Sequence, residues 1–476
     1  MNSHEYNSPN KKRQISNVFT VPITGYEDEI SSQEDIISKA LNYHKNGDIL
    51  KASKLYRICI KRGYIDFRVY SNLGVICKQK GRVKEAINLF EKSIYYYPNR
   101  PEAYSNLGNI LYDIGKTEEA LKALNRAIKL RPNFSDAYYN RARIYAENFQ
   151  LSEAESSIIK VIQCNPSFAN AYNLLGGIMQ KLGRFSEAET AFIKALELKP
   201  GDQNFSFNFL GLLSIYKSSN RHSNILVEAN NELSTILYPT FDKKMFMDTD
   251  VKNFYKKCLN IYNKYNINLE TKLTQVYKRN NSDLNCERHK QIFQKYEIIP
   301  KFCFGCYKVQ VIVPSVVQLI KLFFLFDQLP LNNNTRKCMI ELRENMNGFY
   351  KGLIYCSSLE EANSISTFLN YFLGIYINKD LRSTVKRGCS EYATKFPSYN
   401  DLNQSVSKLM SYKEDWKSIE KDFDKTKRQW TMPQKSVEGF SLNNFLIFRN
   451  WLAYAQKIGD KSVEKITKEK IYLSKR

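Results

Sequence analysis

The chain has 476 residues, of which 43% are hydrophobic and 25% charged, which predicts a globular protein of about two or three domains. Its formal net charge is +23, but the lysines are scattered, so charge alone does not select nucleic acid, a membrane surface or an acidic protein as the partner. The start of the chain lacks the apolar core of a signal peptide, and the most apolar run, Val316 to Leu325, is too short to span a bilayer. With ten cysteines and no export signal, we expect a cytoplasmic protein without membrane association, whose thiols are free or bind metal.

Residues 1–32 are polar and lack periodicity, which predicts a disordered N-terminal tail. Residues 33–200 contain five segments that repeat the same pattern every 34 residues. The small residues at offset 8 of the repeat are Ala40, Gly74, Gly108, Ala142 and Gly176, and those at offset 20 are Ala52, Ala86, Ala120, Ala154 and Ala188. Each segment also holds two apolar runs at helical spacing, so each predicts a pair of closely packed helices.

A period of 34 with small residues at these two offsets resembles the tetratricopeptide repeat (TPR) family. The resemblance covers residues 33–200 and implies an all-α superhelix, or α-solenoid, that binds a peptide or protein on its concave side. Residues 201–220 contain an apolar stretch that predicts a helix capping the last repeat.

An asparagine ladder at offset 6 of the repeats is the first candidate binding feature. Asn72, Asn106 and Asn140 occupy this offset, and they resemble the ladder in the repeats of O-linked N-acetylglucosamine transferases, where it holds the backbone of an extended peptide. The alternative is that asparagine is simply common at this offset. The candidate protein-binding residues are Asn72, Asn106, Asn140, Tyr112, Tyr139, Arg143 and Asn173.

The second half of the chain lacks the 34-residue repeat and contains predicted strands as well as helices. Residues 221–300 predict a helical linker, residues 301–398 an α+β domain rich in cysteine, and residues 399–476 C-terminal helices. The predicted strands of the α+β domain are Tyr307–Val313, Arg336–Arg343, Tyr350–Cys356 and Ser383–Cys389, and the predicted helices are Ser315–Phe326 and Ser358–Leu373. This order is β-α-β-β-α-β, which is typical of the ferredoxin-like fold. The segments FCFGCYKVQ, RKCMIELR and KRGCSEY resemble a cysteine-bearing domain of unknown activity that accompanies TPR arrays in marine cyanobacteria.

The ferredoxin-like topology predicts a cluster of thiols. Strands one and two would run parallel to each other and opposite to strands three and four, so the starts of the first two and the ends of the last two share one sheet edge. Five cysteines are expected there: Cys303, Cys306, Cys338, Cys356 and Cys389. We take Cys303, Cys306, Cys356 and Cys389 as candidate ligands of zinc or an iron–sulfur cluster, with Cys286, His289 and Cys338 as alternative ligands. The competing interpretations are cysteines that only pack the core, and a redox dithiol.

Three functions are compatible with these patterns. The first is an interaction scaffold that binds a peptide or protein in the TPR groove and carries a basic domain with a structural metal. The second is a transferase-like enzyme whose repeats recruit the substrate, although the chain has no glycine-rich phosphate loop, GxSxG or HExxH motif. The third is RNA binding through the sheet face, because Lys351–Tyr355 resembles the third-strand motif of RNA recognition motifs.

Overall fold

The computed structural model describes residues 32–218, 223–239, 245–278, 284, 286–331, 334–343, 348–400, 402, 410–426 and 435–471. It divides into two compact units, Met1–Ile178 and Met179–Arg476. The predicted disordered tail lies outside the described residues apart from Ser32, where the first helix begins. Within the described ranges, no helix has the length and apolar character that crossing a membrane requires.

Paired helices fill the first unit, as the 34-residue repeat predicts. They are α1 (Ser32–Lys45), α2 (Ile49–Lys61), α3 (Phe67–Gln79), α4 (Val83–Tyr96), α5 (Pro101–Asp113), α6 (Thr117–Leu130), α7 (Ser135–Glu147), α8 (Leu151–Cys164) and α9 (Ala169–Lys181), the last of which extends past the unit boundary. The turn between α5 and α6 contains Gly115, whose φ of +85° is a left-handed conformation that glycine adopts without strain.

The small residue at offset 8 lets the two helices of a repeat pack closely. A Cβ atom added to Gly108 would lie 2.8 Å from Leu124 Cγ and 3.0 Å from the backbone oxygen of Ala120. At the same offset in the preceding repeat, a Cβ on Gly74 would lie 2.7 Å from the ring of Phe90. The close approach expected from the sequence is therefore present in the structure.

The second unit combines helices with one sheet. Its elements are α10 (Phe185–Leu198), α11 (Gln203–Leu213), α12 (Ile225–Ser234), α13 (Asp248–Lys264), β1 (Gln275–Lys278), α14 (Cys286–Tyr296), α15 (Lys301–Gly305), β2 (Tyr307–Val313), α16 (Val316–Gln328), β3 (Arg336–Ile340), β4 (Tyr350–Cys356), α17 (Leu359–Tyr376), β5 (Ser383–Arg387), α18 (Trp416–Thr426) and α19 (Leu442–Ile458). Short 3₁₀ turns span Ser390–Thr394, Pro397–Asn400 and Lys461–Lys465.

The sheet has the strand order β1-β3-β4-β2-β5, and every neighbouring pair is antiparallel. Strands β2, β3, β4 and β5 therefore form the predicted ferredoxin-like arrangement. Two predicted strands end early, since β3 stops at Ile340 and β5 at Arg387. The sequence did not predict β1, a four-residue strand that extends the sheet by pairing with β3. A run of four residues is too short for a period-two pattern to be recognised.

Helices α16 and α17 pack against one face of the sheet. A Cβ added to Gly352 in β4 would lie 2.5 Å from Leu322 Cδ2 and 2.9 Å from the ring of Phe326, both in α16, so this position faces the helices. Because side chains alternate along a strand, the residues on either side of Gly352 point to the opposite face.

The predicted linker belongs to the core of the second unit. The ring of Phe254 in α13 lies 4.9 Å from that of Phe324 in α16, and the ring of Phe323 lies 5.1 Å from that of Phe448 in α19. The backbone N–H of Leu442 also donates to Asn230 Oδ1 in α12, at 3.0 Å. The helices before and after the sheet thus pack together against α16.

Candidate functional site

The first helices of successive repeats are joined by side-chain contacts between residues 34 or 35 positions apart. Arg68 binds Glu34 at 2.6 Å, Lys78 binds Asp113 at 2.9 Å, Arg143 donates to Asn109 Oδ1 at 2.9 Å, and Tyr112 donates to Glu147 at 2.7 Å. Each contact links the same helix face in two neighbouring repeats. We call the surface formed by Lys78, Asn109, Tyr112, Asp113, Arg143 and Glu147 the inner row.

Tyr112 and Arg143, two of the predicted binding residues, meet in the inner row. The guanidinium carbon of Arg143 lies 5.8 Å from the centre of the Tyr112 ring, and the guanidinium also reaches Asp113 at 3.9 Å. Its Nε atom is buried and has no hydrogen-bond partner among the described residues. Arg143 therefore retains an unused donor beside an aromatic ring and a carboxylate.

The other two predicted surface residues are half-buried. The Tyr139 ring lies 5.2 Å from that of Phe168, and burial raises the pKa of Tyr139, which keeps its hydroxyl neutral. Asn173 is half-buried on α9. Both can contribute contact area, but neither carries a charge.

The asparagine ladder is buried rather than displayed. Asn72, Asn106 and Asn140 are 0%, 8% and 4% exposed, and Asn72 donates to the Tyr56 hydroxyl at 3.3 Å. One amide atom of each side chain, Asn72 Oδ1, Asn106 Nδ2 and Asn140 Oδ1, is buried without a hydrogen-bond partner among the described residues. Successive helical residues are about 100° apart, which turns offset 6 towards the neighbouring helices, whereas offset 12 holds the half-buried Tyr112.

Three of the predicted cysteines come together at one end of the sheet. Cys303 is 1% exposed, lies 3.6 Å from the Tyr392 hydroxyl, and shares a hydrogen bond with Cys389 that raises the pKa of Cys303 and lowers the pKa of Cys389. Cys306 accepts a backbone hydrogen bond from Gly388 at 2.9 Å, and a Cβ on Gly388 would overlap with Cys306 Sγ. Burial raises the pKa of Cys306 to about 12, so this thiol is protonated near neutral pH.

Cys356 and Cys338 lie at different levels of the sheet. Cys356 pairs with Tyr307 at the start of β2, which places it at the predicted edge, whereas Cys338 pairs with Gly352, four residues earlier on β4. Four residues of strand span about 13 Å. Cys338 is therefore a buried core residue away from the cluster, because it lies in the middle of β3, opposite the middle of β4 and not its end.

The alternative ligands Cys286 and His289 lie on α14. The His289 ring stacks on Phe302 with centres 5.1 Å apart, and burial lowers its pKa to about 4. Cys286 is exposed and interacts electrostatically with Cys306. A neutral imidazole could ligate a metal, but in this structure its ring packs against an aromatic side chain.

The candidate ligands at the cysteine end are packed among other side chains. In the part of the chain that the structure describes, no group of three or more His, Cys, Asp or Glu side chains is arranged to hold a metal ion. Aromatic side chains fill this region instead: Phe293, Phe304, Phe396, Tyr392, Tyr399, Tyr412 and Trp416 pack around Cys303 and Cys389. The ligation of zinc or an iron–sulfur cluster by these residues stays a prediction from the sequence.

The sequence did not predict two features of the structure. Asp113 and Glu147 complete the inner row, and a search for opposite charges 34 or 35 residues apart would have found them. The second feature is a set of lysines on the sheet face opposite α16 and α17: Lys308, Lys337, Lys351 and Lys386. The position of each lysine on its strand is visible in the sequence, but only the sheet order brings them onto one face.

Comparison with known proteins confirms the repeats. Family models described as TPR repeat match residues 74–115 and 108–148, and models described as tetratricopeptide repeat match residues 135–168 and 169–202. Residues 74–202 thus consist of TPR repeats, and α1 and α2 add a helix pair before them. No curated protein matches the chain.

Solved structures of TPR proteins resemble part of the chain. The MamA protein is 27% identical over 35% of this chain and 91% of its own, with a TM-score of 0.31. TTC0263, a thermophilic TPR protein of Thermus thermophilus, is 21% identical over 38% of this chain and 99% of its own, with a TM-score of 0.34. YrrB, described as a TPR protein with an unusual peptide-binding site, is 22% identical over 36% of this chain and 89% of its own, with a TM-score of 0.30.

Proposed function

We propose that this protein is an interaction scaffold whose TPR repeats bind an extended peptide segment of a partner protein along the inner row. The observation that carries the proposal is the meeting of Tyr112, Arg143 and Asp113 from neighbouring repeats. TPR arrays bind peptides and proteins through the first helices of their repeats. Further, Arg143 retains a buried donor, Nε, that a peptide carbonyl or carboxylate would satisfy.

The charge pattern of the inner row favours a peptide over a nucleic acid as the groove ligand. Lys78 and Arg143 alternate with Asp113 and Glu147, so the surface carries both signs. A phosphate backbone would meet the two carboxylates at close range, which is unfavourable. An extended peptide with mixed charges and an aromatic or aliphatic side chain for Tyr112 suits this surface.

The proposal is tested by selecting peptides from a random display library, with peptides about 12 residues long, on the full-length protein. Affinities of the enriched peptides are then measured by fluorescence anisotropy on the wild type and on the double variant Tyr112→Ala/Arg143→Ala. We expect the double variant to bind at least about tenfold more weakly, because it loses an aromatic contact and a charged hydrogen bond.

The matched control is Lys122→Ala on α6, an exposed position on a second helix. It should bind the peptides as the wild type does, and circular dichroism should show that all variants keep their helix content. Equal binding by the double variant, or a selection that enriches no peptide, would contradict the proposed function.

The metal in the C-terminal domain stays a separate prediction from the sequence. Cys303, Cys306, Cys356 and Cys389, or the set with Cys286 and His289, would bind zinc or an iron–sulfur cluster through thiolate and imidazole. Elemental analysis and a visible absorption spectrum of protein purified without air decide it. Stoichiometric zinc or a cluster band supports the prediction, and protein that folds without either metal rules it out. We expect the protein in the cytoplasm, where thiols stay reduced.

A further inference from the structure

Strand alternation places four lysines on the sheet face opposite α16 and α17. Gly352 faces α16, so Lys351 and Tyr355 on the same strand point the other way. Residues directly opposite in an antiparallel pair share a face, which adds Lys308 on β2 because it pairs with Tyr355. The same rule adds Lys386 on β5, opposite Lys308, and Lys337 on β3, opposite Leu353. We call Lys308, Lys337, Lys351 and Lys386 with Tyr277 and Tyr355 the lysine face.

Lys308, Lys337 and Lys386 lie around Tyr355, whereas Lys351 lies four residues earlier on β4, about 13 Å away. Lys308 is 8% exposed and lies directly across the strand pair from Lys386, an arrangement of like charges that destabilises a sheet. Lys337 lies 5.5 Å from the centre of the Tyr277 ring and 5.8 Å from that of Tyr355. Because Lys386 is exposed and Lys337, Tyr277 and Tyr355 are partly exposed, a small molecule in solution can reach the group.

Positive charge on this face exceeds the negative charge that acts on it. Glu341 interacts with Lys351 at 3.3 Å, but it is also bound by Arg343 at 2.6 Å. Glu391 acts on Lys308 and Lys337 through space. These two carboxylates face five cations, the four lysines and Arg343, so an excess of positive charge remains.

The excess charge has an electrostatic consequence. Burial lowers the pKa of Lys308, and the nearby positive charges of Lys337 and Lys386 lower it further. Burial likewise lowers the pKa of Lys337, with a contribution from the charge of Arg343. A bound anion would offset both effects, since an opposite charge favours the protonated form of a lysine.

We propose that the lysine face binds the phosphate group of a small phosphorylated molecule. Three lysines around Tyr355 suit an anion that carries more than one charge, and lysine binds phosphate as a point charge. The hydroxyl of Tyr355 supplies a further hydrogen-bond donor, whereas that of Tyr277 donates to Gln275 Oε1 at 2.7 Å. The two rings offer a flat apolar surface for the rest of the ligand. The four lysines span four neighbouring strands, a width of about 15 Å, which fits a nucleotide or sugar phosphate.

The test is isothermal titration calorimetry on the full-length protein in phosphate-free buffer. Pyrophosphate probes the phosphate contact itself, and adenosine triphosphate and glucose 6-phosphate distinguish a nucleotide from a sugar phosphate as the natural source. We expect wild-type protein to bind pyrophosphate, and Lys386→Gln and Lys337→Gln each to raise the Kd about tenfold, because each removes one charged contact.

Lys457→Gln on α19 is the matched control, an exposed lysine away from the sheet whose loss should leave the Kd unchanged. Because Lys386 is exposed, Lys386→Gln should not disturb folding. Circular dichroism checks this for both variants. The proposal is overturned if pyrophosphate does not bind, or if Lys386→Gln and Lys337→Gln bind it as Lys457→Gln does. A short single-stranded RNA that binds more tightly than every small phosphate, with the same dependence on Lys337 and Lys386, would also overturn it in favour of a nucleic-acid surface.

Discussion

The two units of this protein obtain their structure from contacts of very different range. In the repeats, the contacts between neighbouring first helices recur at 34 or 35 residues, as between Arg68 and Glu34 or between Arg143 and Asn109. In the second unit, Leu442 bonds to Asn230 across 212 residues, and Arg288 pairs with Asp424 across 136. The structure of a repeat can therefore be recognised within one 34-residue period, whereas the sheet and its flanking helices depend on residues far away in the sequence.

This difference also applies to the candidate sites. The inner row consists of residues at fixed offsets of a repeating pattern, so it can be extended from one repeat to the next. The lysine face takes one or two residues from each of the five strands, and it exists because β2 lies between β4 and β5. We therefore expect a substitution in one unit to change the stability of that unit and to leave the other unit unchanged.

The largest expected effect is on the second unit alone. Trp451 is fully buried, its indole N–H donates to the Thr274 backbone oxygen at 2.9 Å, and its ring stacks on Phe448. Trp451→Ala should lower the free energy of unfolding of this unit by about 3–5 kcal/mol, because it leaves a cavity and an unpaired carbonyl. Hydrogen exchange followed by mass spectrometry should show faster exchange in β2 to β4.

Exchange in α5 and α6 of the repeats should stay unchanged in the same experiment. Tyr371→Ala, at a side chain that is 68% exposed on α17, serves as the control and should leave both units protected. Equal loss of protection in the repeats and in the sheet would show that the two units unfold together rather than independently.

Two glycines of the repeats should respond to alanine in opposite directions. Gly108→Ala should lower the free energy of unfolding by about 1–3 kcal/mol, since the new methyl group meets Leu124 and the backbone of Ala120. Gly177→Ala has nothing within 4 Å of the new Cβ and should raise stability by about 0.5–1 kcal/mol through helix propensity. Thermal unfolding of both variants beside the wild type measures the two signs, and a stabilising Gly108→Ala would refute the close packing at offset 8.

The smallest effect concerns the pH dependence of the second unit. Burial alone would raise the pKa of Glu341, but hydrogen bonds from Arg343 and the charge of Lys351 outweigh it and lower the pKa from 4.5 to about 2. A carboxyl with a lowered folded-state pKa stabilises the fold above its unfolded value, and this contribution disappears as the pH falls from about 4.5 to about 2.

Glu341→Gln should therefore cost about 1 kcal/mol at about pH 7, a figure reduced for solvent screening, and its difference from the wild type should shrink below about pH 4.5. Urea unfolding at several pH values measures this trend. Glu414→Gln, at a carboxylate that is 73% exposed, should show little difference at any pH. A Glu341→Gln deficit that stays constant as the pH falls to about 2 would contradict the ion pair.

The sequence by itself determined the repeats and the order of strands and helices in the sheet. The 34-residue period, the small residues at Gly108 and Ala120, and the alternation in Tyr307–Val313 are local patterns that reflect helix pairing and strand burial directly. They also predicted Tyr112 and Arg143 as residues of the concave face from their offsets in the repeat. The predicted linker showed helical periodicity, but its apolar residues gave no sign of their partners in α16 and α19.

Only the tertiary structure decided what these residues do together. Asn72, Asn106 and Asn140 are buried because a neighbouring helix covers the side of α3, α5 and α7 on which they lie. The sequence of a single helix does not show which of its sides is covered. The tertiary structure separated Cys338 from Cys303 and Cys389 through strand register, which periodicity cannot fix. Four lysines that are distant in the sequence lie on one sheet face in the structure. The sequence shows which strand carries each lysine, but only the fold sets which strands are neighbours.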